Sequence, residues 1–81
     1  MLKIYGSKLC PDCVQCLEDL RRAEVSFTYF DFSDGLEHLK EFLKIRDSYP
    51  EFAEIREAGK IGIPCLVRED GSITLNWDCF L

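Results

Sequence analysis

The sequence predicts one small α/β domain, on three observations. The chain has 81 residues, which leaves room for a single domain and no more. Its hydrophobic share of 47% suffices for a packed core, although a domain of this size buries a modest part of its surface and is marginally stable. Segments of strand character alternate with segments of helical period in the order β-α-β-α-(α)-β-β, and no repeat, linker or low-complexity stretch interrupts them.

The first strand is expected over about residues 1–5, with Leu2, Ile4 and Tyr5 as its apolar content, and Gly6-Ser7 turn the chain out of it. A helix follows over Pro11–Arg22. Pro suits its first position because the N–H that proline lacks has no partner there. Val14, Cys16, Leu17 and Leu20 recur at helical spacing, with Glu18, Asp19, Arg21 and Arg22 elsewhere. Val25 to Phe32 is rich in β-branched and aromatic residues and reads as the second strand. Strand, helix and strand within this length form a right-handed βαβ unit with parallel strands.

Two helices, or one broken helix, are expected between about 35 and 58. Asp34 with Glu37 has the form of a capping box, followed by Leu36, Leu39, Phe42 and Leu43. Ser48 with Glu51 has the form of a second, with Pro50 in its first turn and Gly59 as the C-terminal stop. Ile63–Arg68 reads as a strand, Asp70-Gly71 as a hairpin turn and Ile73–Leu75 as the return strand. Residues 76–81 leave space for barely a turn of helix.

The net charge of −5 makes nucleic acid and anionic membrane surfaces poor partners. No stretch is long and apolar enough to span a bilayer. The N-terminus has no basic n-region ahead of an apolar h-region and reads as a strand rather than a signal peptide. A cytoplasmic, monomeric protein is the expectation. There, five cysteines point to redox or metal chemistry rather than to a disulfide framework, which an odd count fits poorly.

Cys10-Pro11-Asp12-Cys13 carries the chemistry. The thiolate is the nucleophile in disulfide exchange, and the unpaired N–H groups and positive dipole at a helix start favour it. Cys10 stands at that start and Cys13 one turn on, within reach to resolve a mixed disulfide. The catalytic expectation is therefore Cys10 as nucleophile and Cys13 as the less exposed resolving thiol.

With Ile4-Tyr5-Gly6-Ser7-Lys8-Leu9 before that motif, Ile61-Gly62-Ile63-Pro64 later and this order of elements, most of the chain resembles the glutaredoxins of the thioredoxin-fold superfamily. The resemblance implies a four-stranded mixed sheet in order 2-1-3-4 with helices on both faces and the last two strands antiparallel to the first two. The middle helical region is longer than in small members and the final helix almost absent. It also implies a cis Ile63–Pro64 peptide facing the dithiol, with the Ile63 backbone free to pair with an extended peptide or with glutathione. The implied activity is reduction of protein disulfides or glutathione mixed disulfides. Glutathione would be co-substrate rather than a tightly bound cofactor, held by Lys8, Pro11, Asp12, Ile63, Pro64 and Asp78.

The chain also departs from the family pattern. Asp12 stands where many members have Tyr, and its charge opposes thiolate formation and repels the carboxylates of glutathione. Ser7 replaces a usual basic residue, for which Lys8 is the nearest substitute, and Leu75-Asn76 replaces a usual Gly-Gly pair. These differences favour an alternative: a glutathione-independent redoxin reduced by thioredoxin reductase.

The remaining candidates divide by position. Cys16 extends the motif to C-x-x-C-x-x-C, the outline of an iron–sulfur signature. In a continuous helix, however, residues three apart drift by about 60°, so these thiols diverge and Cys16 is expected in the core. Cys65, next to Pro64, is either a buried strand residue or a modulator of the dithiol. A metal or iron–sulfur carrier using Cys10 with Cys13 or Cys65 is the alternative from another class, although no dedicated metal site is expected. Cys79 and His38 carry no assigned role. Arg56 and Lys60 are further candidates for a carboxylate contact, and Trp77 shields either the site or the core.

Overall fold

β1, Leu2–Gly6, is the strand from which the rest is built. A computed structural model describes all residues from Met1 to Leu81. In it β1 pairs in parallel with β2 (Phe27–Asp31) and in antiparallel with β3 (Cys65–Val67), which pairs in antiparallel with β4 (Ile73–Thr74). The sheet order is β2-β1-β3-β4. Three helices accompany it: α1 (Pro11–Arg22), α2 (Leu36–Ser48) and α3 (Ala53–Glu57). Short 3-10 turns occupy Phe32–Asp34, Pro50–Phe52 and Trp77–Phe80. No helix is long and apolar enough to cross a membrane.

Alternation along β1 creates two cores. Leu2 and Ile4 face α1 and pack with Cys16, Leu20 and Leu66, covered by Trp77 and Phe80. Tyr5 faces the other way and packs with Phe42, Phe52, Cys65 and Ile73 under α2 and α3. Helical elements thus lie on both faces of the sheet. The Trp77 indole N–H fastens the Trp77–Phe80 turn to Asp19 of α1 at 2.9 Å.

Several expectations need correction. β3 alone opposes the direction of β1 and β2; β4, antiparallel to β3, runs the same way as they do. β1 includes Gly6 and leaves Met1 outside, where its ammonium group pairs with Glu69. β2 is shorter than 25–32 because both ends have other partners. The Val25 N–H bonds the Leu20 carbonyl and closes the C-terminus of α1, while Asp31 caps the turn that begins at Phe32. β3 spans 65–67 rather than 63–68, since Pro64 has no N–H for a ladder, and β4 stops at Thr74. On α1 the buried stripe is Cys13, Cys16 and Leu20, while Val14 is exposed.

Neither capping box forms. Gly35 precedes α2 with no side-chain cap, and Asp34 lies inside the preceding 3-10 turn. Ser48 is the last residue of α2 rather than the start of α3. Tyr49 is extended (φ −91°, ψ 133°), as the residue before Pro50 tends to be, and this breaks the helical region in two. Gly59 does close α3. It has φ +69°, and the Gly59 and Lys60 N–H groups bond the Arg56 and Ile55 carbonyls.

Candidate active site

Cys10 is the N-cap of α1. Its backbone is extended (φ −95°, ψ 116°), and its Sγ accepts the Cys13 N–H at 3.4 Å. Helix starts bind anionic atoms through such N–H groups. Pro11, at the first helical position, and Asp12 are both exposed.

The loop that delivers Cys10 is tied down at three successive N–H groups. Lys8 N–H donates to Asp31 Oδ2 at 3.1 Å, Leu9 N–H to Ser7 Oγ at 3.1 Å and Cys10 N–H to the Ser7 carbonyl at 3.0 Å. Asp31 is the one buried charged side chain. Besides Lys8 it accepts from Tyr29 Oη (3.2 Å), Ser33 N–H (2.8 Å) and Ser33 Oγ (2.6 Å). Burial works to raise its pKa, but these donors outweigh it and hold the carboxyl below the usual carboxylate value. The sequence reading passed over Asp31. A lone acid in a run of aromatic strand residues is a signal, since an acid there needs donors.

Cys13 lies beneath the surface, 1% exposed. Burial pushes its thiol from 9.0 up to about 12, the adjoining Cys10 and Cys16 sulfurs reinforcing the shift against a backbone contact from Ser7. Gly6 of β1 faces it so closely that a Cβ there would lie 2.8 Å from Cys13 Sγ and 3.4 Å from the Tyr29 ring. Burial also raises the Tyr29 phenol, with Asp31 and Cys13 adding to it.

Cys10 opens into a cleft of about 400 Å³ whose other lining includes Ile55, Lys60, Ile61, Ile63 and Leu75. A second cleft, of about 380 Å³, joins Cys10 to Leu9, Phe32, Ile61 and Ile63. The Lys60 carbonyl accepts from Arg46 Nη2 at 2.8 Å, and Arg56 binds the Arg46 and Tyr49 carbonyls, so the wall at residues 59–62 is anchored to the helices behind it.

The structure gathers Cys10, Cys13, Ile63 and, through its backbone, Lys8. The Ile63–Pro64 peptide is cis and Pro64 is buried. Asp78 is exposed and lines neither Cys10 cleft. Cys65, fully buried, belongs to the core with Phe42 and Phe52, and Cys16 to the core on the opposite face. No three His, Cys, Asp or Glu side chains converge as a metal-binding group would. Cys79 is exposed beside Arg68, and His38 sits against Phe30 with its Nδ1 at the Asp31 carbonyl. Of the apolar cleft residues, Ile55 escaped the sequence reading of the site, and Ile61 and Leu75 entered it only through the family pattern, because the three come from a helix, a loop and a strand end with no shared period.

An uncharacterized protein of Haemophilus influenzae is 30% identical over 73 residues, which span 90% of this chain and 85% of that protein. The chain belongs to the family of that protein. No protein-family model matches it, and no solved structure does.

Proposed function

We propose that the chain is a glutathione-linked thiol–disulfide oxidoreductase working through the Cys10–Cys13 dithiol, on a thioredoxin-like fold of the glutaredoxin kind. One observation carries the reading. An accessible thiol caps a helix at the mouth of an open cleft, with a second, buried thiol one turn below it. The β2-β1-β3-β4 order and the helices on both faces support the fold assignment.

In the reductive direction the Cys10 thiolate attacks one sulfur of a substrate disulfide. That S–S bond breaks, and the departing thiolate takes a proton from water. Cys13 then attacks Cys10 Sγ, the Cys10–substrate S–S bond breaks, and the proton lost by Cys13 goes, through water, to the departing second substrate thiolate. The substrate has gained two electrons and the Cys10–Cys13 pair has lost them; glutathione returns them. A cytoplasmic setting, where thiols are held reduced, suits this cycle.

A glutathione-independent redoxin, served by thioredoxin reductase, is the second reading. It is favoured by the apolar lining of the Cys10 cleft and by the place of Asp78 outside it. A metal-carrier role has no converging ligand set in one chain to support it.

The test is steady-state reduction of a small glutathione mixed disulfide, coupled to glutathione reductase, for wild type, Cys10→Ser and Cys13→Ser. Turnover in wild type and its loss in Cys10→Ser support the proposal. No turnover in wild type, with a disulfide that thioredoxin reductase still reduces, selects the second reading. Full activity in Cys10→Ser overturns both.

A further inference from the structure

We infer that the groove beside Cys10 receives an extended protein segment in which the reacting cysteine is flanked by an apolar residue and then an acidic one. This inference rests on the dithiol reading above and names the substrate class of that site.

The two clefts at Cys10 adjoin a third, of about 380 Å³, between α2 and the residue 59–61 loop. Ile61 lines all three, so they form one depression running from Cys10 over Ile61 to Leu43 and Arg46. Its flanks carry apolar side chains left in water: Leu9 is 85% exposed and Ile61 60%. Covering such side chains with an apolar residue of a bound segment removes their surface from water and favours binding.

Charge decides what the occupant carries. The chain has 15 acidic residues against 10 Lys and Arg, yet no acidic residue lines any of the three clefts. The charged side chains along the groove are Lys60, which borders two of them and makes no ion pair, and Arg46 at the far end, whose guanidinium is held by the Lys60 carbonyl and stands 4.0 Å from Asp47. A cationic margin on a net anionic molecule selects against basic segments and for acidic ones. The linear order follows from the lining: thiol at Cys10, apolar at Ile61 and Ile63, which border both clefts at Cys10, and cationic at Lys60, which borders one of them and the cleft beyond. A peptide laid along it presents cysteine, apolar residue and acid in that succession.

The test uses Cys13→Ser protein, which stops at the mixed disulfide. Two peptides, Glu-Leu-Cys-Leu-Glu and Lys-Ser-Cys-Ser-Lys, are presented as mixed disulfides with a chromogenic thiol, beside glutathione presented the same way. Release rates are divided by each compound's rate with free cysteine, which removes intrinsic reactivity. The inference expects the apolar–acidic peptide to react about tenfold faster than either competitor, a difference of about 1.4 kcal/mol. Ile61→Ser and Lys60→Glu, both changes of exposed side chains, should each reduce that preference. Equal normalised rates, or faster reaction of glutathione, overturn the inference and leave the dithiol reading standing. A dimer in sedimentation that buries the groove and abolishes the preference assigns it to a second copy of this chain and also overturns the inference. Failure of all three compounds to form a mixed disulfide with Cys10 removes the dithiol reading and the inference together.

Discussion

Gly6 and Cys13 are in such close apposition that no side chain fits between them: a Cβ on Gly6 would lie 2.8 Å from the Cys13 sulfur. Gly6→Ala should therefore destabilise the fold by about 1–3 kcal/mol, the usual range for overpacking a filled core. The urea midpoint measures this. Gly6→Ala with Cys13→Ala should recover much of the loss, and additive effects of the two changes would show that the contact does not limit stability.

Alkaline instability is expected from the buried thiols. Burial raises Cys13 and Cys65 to about 12 and Cys16 to about 11, from 9.0. A group whose pKa is raised on folding stabilises the native state below its unfolded value, and that contribution is lost as the pH climbs through the folded value. Stability should thus fall from about pH 9 towards pH 12. Cys65→Ala should shallow that slope in urea titrations across the range. An unchanged slope would mean that other groups control it.

At the acid end Asp31 is expected to matter. Its depressed pKa adds stability above the unfolded value of 3.8 that is lost as pH falls through the folded one. Asp31→Asn should flatten the acid limb of a midpoint-against-pH curve. Asp31→Ala, which strands the Lys8, Tyr29 and Ser33 donors, should cost about 2–3 kcal/mol. It should also slow mixed-disulfide formation at Cys10, because the Lys8 N–H loses its anchor.

Glu24 occupies the left-handed position after α1, with φ +58°. Its N–H and that of Val25 bond the Arg21 and Leu20 carbonyls, the arrangement that usually ends on glycine. Glu24→Gly should raise stability by about 0.5–1 kcal/mol, since a side chain is strained there. Thermal unfolding of the variant checks it, and a lower midpoint would count against the strain argument.

What could be read in advance followed local chemistry. The bounds of α1 were legible because Pro11 marks its start and Cys16, Leu17 and Leu20 keep the period. The break before α3 was legible from Pro50, and the stop after it from Gly59. The caps failed because a residue pattern does not show whether its first member stands outside the helix. Asp34 and Ser48 both lie inside a turn or helix already begun. The direction of β4 depends on the tight turn after β3, where Ser72 is held by Asp70 and the Arg68 N–H meets the Ser72 carbonyl, and not on any family outline. At the site the two thiols were evident from spacing, whereas Asp31 and Ile61 gain their roles only through contacts across 23 residues or more of chain.

Gly62, in the wall of the Cys10 cleft, has φ +90°, and a Cβ there would lie 2.8 Å from Phe52 Cε1. The ring that fills the core under α2 and α3 is thus also the backing of the wall, with no spare layer between them. Variation in this family can then retune the cleft without disturbing the core at Ile61, which is exposed, whereas Ile55 and Leu75 pack against that same core. A change at Gly62 or Phe52 alters foldability and selectivity at once, so those two positions are expected to drift together or not at all.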